Sequence, residues 1–165
     1  MRTKKPILMN RGHSSEMQTP PEAIDILLPY LDTNWVIWEC ACGKYNLVHR
    51  LRDYGFTVMA TNDGFLDCKT PAYDCIITNP PYDIKDKFIA RCYQLGKPFA
   101  LLLPLTALES EARQRLYRAH GINLLIPNRR FNFETPSGHG SGSWFATAWF
   151  TWGIPLPSQI TFTTL

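Results

Sequence analysis

The sequence predicts an α/β domain built on a central, mostly parallel β-sheet with helices on both faces. Three observations predict it. Short runs rich in apolar, β-branched and aromatic residues alternate with segments of helical periodicity. The run over 99–103 is apolar at every position, as a strand covered on both faces must be. Glycines stand just past two of the helical segments, at Gly55 and Gly96, where a chain leaving a helix turns left-handed. A length of 165 residues suffices for one hydrophobic core.

Each element has its own reason. Pro20 and Pro21 open a helix over 21–31, since the first helical turn tolerates proline. Residues 35–41 form the first strand. The stretch 46–54 puts Leu47, Val48, Leu51 and Tyr54 on one helical face, and Gly55 ends it. Strands follow at 56–61 and 73–78. Residues 86–95 are amphipathic through Phe88, Ile89, Cys92 and Leu95, with Gly96 as the stop. The strand at 99–103 is central. Thr106 and Glu109 have capping-box spacing at the start of a helix reaching about His120. Strands at 122–126 and 145–152 close the sheet.

Around this domain, 17–153, the sequence suggests a flexible basic segment at 1–16 and an apolar tail at 154–165, packed on the domain or on a second copy of it. No charged residue follows Glu134. Apolar runs are far shorter than a membrane span, and no signal-peptide core follows the basic start, so the expected location is cytoplasmic. Five cysteines without paired C-x-x-C spacing read as reduced core residues, and no metal is expected. The formal net charge of +3, from 17 basic and 14 acidic side chains, names no partner by itself.

The chemistry is concentrated in Asn79-Pro80-Pro81-Tyr82, which closes the strand at 73–78. An amine attached to a planar π-system is a poor nucleophile because its lone pair is delocalised. A side-chain oxygen at Asn79 and the backbone carbonyl of Pro80 could each accept one amine hydrogen, localising and aiming that lone pair. Pro81 stiffens the loop, and Tyr82 offers a ring to stack on a flat substrate. The same four residues also suit a simple turn after a strand.

A second motif, Glu39-Cys40-Ala41-Cys42-Gly43, falls at the end of the first strand, 36 residues before Asn79 when counted from Gly43. Ligands of doubly wound sheets sit at such carboxyl ends. Together the motifs resemble those of class I S-adenosylmethionine-dependent amino-methyltransferases, and 17–152 is similar to small phage-type DNA adenine methyltransferases. The resemblance implies a Rossmann-like class I methyltransferase fold and S-adenosylmethionine as cofactor. It implies that Glu39 takes the cofactor's ammonium group, with Cys40, Ala41 and Gly43 in the enclosing turn. Gln18 and Thr19, before the first helix, match the segment contacting the methionine carboxylate. The family's ribose-binding acid is Asn62 here, with Asp63 beside it. Gly64 stands where the family reads the cofactor adenine with an acid, and Asp67 is the nearest carboxylate. Tyr45 replaces a second glycine.

The substrate side falls on a loop over 128–144, long for so small a domain. If functional, it places Arg129 and Arg130 on phosphates and Phe131, Phe133 or Trp144 against a base; a plain hairpin connection fits as well. The arginines at 113, 115 and 118 suit a solvated helix face. With no room for a recognition domain, the expectation is adenine methylation in single-stranded or duplex DNA with relaxed specificity. Open beside it stand RNA adenine, a protein glutamine amide, and a catalytically silent homologue that binds DNA or a partner.

Overall fold

In a computed structural model of the chain, residues 18–135, 138–139 and 145–165 are described. The basic segment at 1–16 and Trp144 therefore lie outside the described residues. The apolar runs become β1 (Val36–Glu39), β2 (Thr57–Ala60), β3 (Cys75–Thr78), β4 (Phe99–Pro104) and β5 (Asn123–Pro127). β6 (Glu134–Thr135) and β7 (Gly138–His139) make a small antiparallel ribbon, followed by β8 (Thr147–Trp152) and β9 (Ile160–Thr163). Seven strands form one sheet in the order β2-β1-β3-β4-β8-β5-β9. Only β8 runs against its neighbours, so the other six strands share one carboxyl edge.

Alternation along the strands divides the core into two layers. Ile37, Ile77, Leu102 and Trp149 face α1 (Glu22–Asp25) and α2 (Asn46–Asp53), where Ile24, Leu47, Val48 and Leu51 are buried. Trp38, Ile76, Leu101 and Phe150 face the opposite way, toward Phe88, Ile89 and Cys92 of α3 (Lys85–Leu95). All six residues of β4 are buried. Each large apolar side chain so placed contributes about 1.5–3 kcal/mol. Trp149 also donates its Nε1–H to the Ala23 carbonyl at 2.7 Å, fastening α1 to the sheet.

Three elements depart from the sequence expectation. The helix expected over 21–31 is interrupted: α1 ends at Asp25 and a 3-10 turn, Leu28–Tyr30, follows. Pro29 has no N–H to donate to Asp25, so the chain tightens instead of continuing. Tyr54 does not join the buried face of α2; it is exposed, with the Arg50 guanidinium 4.9 Å from its ring centre.

The helix expected from Thr106 splits into a 3-10 turn, Leu105–Leu108, and α4 (Glu111–His120), separated by Ser110 at φ +95°. The capping box is not formed, because Glu109 N–H reaches the Thr106 backbone carbonyl. The Ala107 carbonyl accepts from Arg113 Nε and Tyr117 Oη of α4, which takes up the acceptor that a continuous helix would have used. The apolar C-terminal stretch supplies β9, an edge strand parallel to β5. Among the described residues, no helix is long and apolar enough to cross a membrane.

Candidate active site

β1, β2 and β3 are adjacent and parallel, so the segments leaving them converge. Between those segments and Gln18–Thr19 lies a cavity of about 280 Å³. Gln18, Thr19, Glu39, Ala41, Gly43, Asn62, Asp63, Asn79 and Pro81 line its wall.

Hydrogen bonds from distant parts of the chain shape the turn after β1. Gly43 takes φ +49°, and a Cβ there would stand 3.4 Å from Gln18 Oε1, so a larger residue would crowd that side chain. The Gly43 N–H donates to Asn62 Oδ1 at 3.0 Å and the Lys44 N–H to Gln18 Oε1 at 3.1 Å. Asn62 thus spends its carbonyl oxygen holding the turn. Asp63 beside it brings a carboxylate to the cavity wall. Tyr45 follows in the left-handed region at φ +68° and is exposed, which keeps its ring out of the core.

Glu39 is 1% exposed. Its Oε1 accepts from the Ala41 N–H at 3.0 Å and from the Thr78 hydroxyl. These bonds favour the ionised carboxyl, but loss of water outweighs them and raises its pKa to about 7. A buried carboxyl opening on a cavity is a site at which a cation is favoured.

At the end of β3, Asn79 donates its Nδ2–H to Thr19 Oγ1 at 2.8 Å. The other end of the amide, Oδ1, is buried and has no hydrogen-bond partner among the described residues. Buried acceptors are ordinarily paired, so this atom marks a place for a donor. Pro80 is buried, and Pro81 takes φ −57° and ψ 123°, leading into a 3-10 turn, Tyr82–Ile84.

Several residues expected at the site lie elsewhere. Cys40 projects to the opposite face of the sheet from Glu39, among Phe88 and Cys92, because side chains alternate at the strand end; burial pushes its thiol well up. Asp67 is absent from the cavity wall. The turn from Gly64 at φ +78° carries it outward, to a groove against α3, while Phe65 stacks on Phe88 at 4.6 Å.

Phe131 and Phe133 are core residues, 0% and 4% exposed, meeting edge to face at 6.4 Å, so neither offers a face to a substrate. Removing two phenyl rings from water outranks leaving them in a polar loop. Tyr82 packs edge-on against Phe145 with its centroid 5.7 Å away, its hydroxyl buried without a partner among the described residues and its acidity suppressed by that burial. Arg129 and Arg130 are exposed just beyond β5, at the same carboxyl edge as Asn79.

Three further residues line the cavity: Cys42, Asn46 and Leu47. The signal for them was the chain's passage from the glycine turn directly into α2, whose first residues must face whatever the turn encloses. Asn46 also donates its Nδ2–H to the Thr19 carbonyl at 3.3 Å. Among the described residues, no group of three or more His, Cys, Asp or Glu side chains is placed to hold a metal.

No family model matches this sequence, and no curated protein is similar to it. Solved structures are similar in fold. One is a Listeria monocytogenes protein assigned to the class I S-adenosylmethionine-dependent methyltransferases: TM-score 0.57 and 13% identity, over 95% of this chain and 68% of that one. A Pyrococcus horikoshii protein assigned as an RNA methyltransferase gives 0.55 and 13%, over 92% and 97%. The modification subunit of an assigned type I restriction enzyme from Vibrio vulnificus YJ016 gives 0.53 and 12%, over 86% and 45%. Such identities speak for the architecture alone. With the sheet order, they make this a Rossmann-like class I methyltransferase fold.

Proposed function

We propose that this chain transfers a methyl group from S-adenosylmethionine to the exocyclic amine of adenine in DNA. The observation that carries the reading is the Asn79 amide, held by Thr19 at one end and left with a buried, unpartnered oxygen at the other.

The residues around the cavity fit the cofactor. Glu39, in its ionised form, would take the ammonium group; Gln18 and Thr19, on the cavity wall, would meet the methionine carboxylate; Asp63 would accept from the ribose hydroxyls. Gly43 leaves the turn open to close approach. When bound, the cofactor supplies an electrophilic methyl on a sulfonium.

The chain's own part is to prepare the amine. Asn79 Oδ1 and the Pro80 carbonyl would accept its two hydrogens, drawing the nitrogen toward tetrahedral geometry. No strong base is needed, because the proton leaves after the nitrogen has become cationic. Tyr82 would stack on the base only after turning away from Phe145, and Arg129 and Arg130 stand at the edge where a phosphate backbone would pass.

The test is calorimetric titration with S-adenosylmethionine, followed by transfer of labelled methyl to single-stranded and duplex DNA and to RNA of the same sequence. Binding with label on DNA adenine supports the proposal. Label on RNA alone would reassign the substrate, and no cofactor binding under any condition would leave a silent binding protein.

A further inference from the structure

Lys87, Ala90, Arg91 and Gln94 recur at i, i+3, i+4 and i+7 on α3 and so share one face. Phe88, Ile89 and Cys92 turn the other way, into the core. With Leu66 and Asp67, this outer face forms a shallow groove of about 500 Å³, separate from the cavity at the strand ends. Ala90 gives it a low floor between two cations.

Those cations are not taken up in ion pairs among the described residues. Arg50, Arg113 and Arg115 are paired with Asp25, Asp86 and Glu111, whereas neither Lys87 nor Arg91 has a carboxylate in ion-pair range among the described residues. Arg91 spends only Nη1, on Gln94 Oε1 at 3.3 Å. Its Nε–H is buried and lacks an acceptor among the described residues, an arrangement that is costly unless an acceptor joins it. Asp67, exposed on the facing wall, is the groove's one carboxylate, so the groove stays net positive.

Lys87 and Arg91 lie one helical turn apart, about 6 Å, and the face from Lys87 to Gln94 runs about 10 Å. Two cations set apart in this way suit a repeating polyanion better than a single small anion, since each can take a phosphate of its own. The helix that carries the groove follows directly on the Asn79–Tyr82 loop. Lys85 Nζ donates to the Tyr82 carbonyl at 3.1 Å, tying the first turn of α3 to the Asn79–Tyr82 loop.

We infer that this groove holds the sugar–phosphate backbone of a nucleic-acid strand, with the Arg91 guanidinium and the Lys87 ammonium on successive phosphates. That the strand is the one carrying the methylated base rests on the proposed function.

The experiment is fluorescence anisotropy of the full chain with a labelled single-stranded oligodeoxynucleotide, and with RNA of the same sequence, across a salt series. Wild type is compared with K87Q/R91Q and with D67N. Two lost phosphate contacts should make the slope of log K against log salt shallower by about 1.4, at about 0.7 for each contact on a single strand. D67N should bind more tightly. K87Q alone, at an exposed position, should lose about half the slope change and stands in if the double variant melts early.

Equal slopes and affinities in wild type and K87Q/R91Q, or no oligonucleotide binding by wild type, would overturn the groove assignment. Calorimetry with S-adenosylmethionine separates the two readings. A groove-dependent slope without cofactor heat in any protein keeps the groove and removes the enzyme, whereas cofactor heat with unchanged slopes does the reverse.

Discussion

Asn79 and Thr19, 60 residues apart in sequence, are joined by one hydrogen bond of 2.8 Å from Nδ2 to Oγ1. The bond decides which end of the Asn79 amide is left for a substrate. An amide free to rotate would present its NH2 group half the time, and that group cannot accept an amine hydrogen.

Asn79→Ala should therefore lower methyl transfer at least a hundredfold while leaving cofactor affinity similar. Thr19→Val removes the anchor but keeps the oxygen, and should cost about tenfold in kcat. Single-turnover rates with saturating cofactor test both, and an unchanged rate in Asn79→Ala would remove the proposed mechanism.

Glu39 predicts a pH dependence of stability. Its carboxyl titrates near 7 in the folded protein, against 4.5 as the ordinary value. Between those values the unfolded chain has released a proton that the folded chain retains. Stability should then fall as pH rises through this window, by about 3 kcal/mol in all, and level off above 7. Urea unfolding at a series of pH values should show the decline, and Glu39→Gln should flatten it.

The same group predicts a trend in binding. If a cationic ammonium sits against Glu39, binding requires the ionised form, so affinity should rise with pH up to about 7 and proton release should accompany it. Titration in buffers of different ionisation enthalpy measures that proton directly.

Tyr45 occupies the left-handed region without being glycine, at a cost of about 1–2 kcal/mol. Tyr45→Gly should raise stability by up to about 1 kcal/mol, because glycine returns part of the gain as backbone entropy. Tyr45→Ala keeps the strain and should be close to neutral. A large loss of cofactor affinity in the glycine variant would show that the exposed ring makes a contact of its own.

Phe131→Ala should destabilise the fold by about 3–5 kcal/mol, as expected for a buried aromatic ring. Arg129→Gln, at an exposed position, should stay within about 0.5 kcal/mol. Chemical denaturation distinguishes these from the behaviour of a loop residue whose task is to stack on a base.

Sequence alone determined the inner strands of the sheet, because strands covered on both faces are apolar, and β3 and β4 advertise themselves in that way, whereas the edge strand β9 read only as an apolar tail. It determined where to look for the site as well, since Glu39, Gly43, Asn62 and Asn79 each stand at the end of an apolar run. Tertiary structure decided the rest. Whether a phenylalanine near a loop is core or contact surface depends on what packs above it, as Phe131 and Phe133 show. Cys40 and Cys42 look alike in one motif and, two residues apart, would share one face of a strand, yet β1 ends at Glu39 and the turn that follows leaves the first in the core on the α3 side and the second on the cavity wall. The roles of Asn62 and Thr19 turn on hydrogen bonds to Gly43 and Asn79, partners brought within 3 Å only when separate strands end at the same edge. Local pattern records burial period and turn chemistry, whereas such pairings belong to the folded chain.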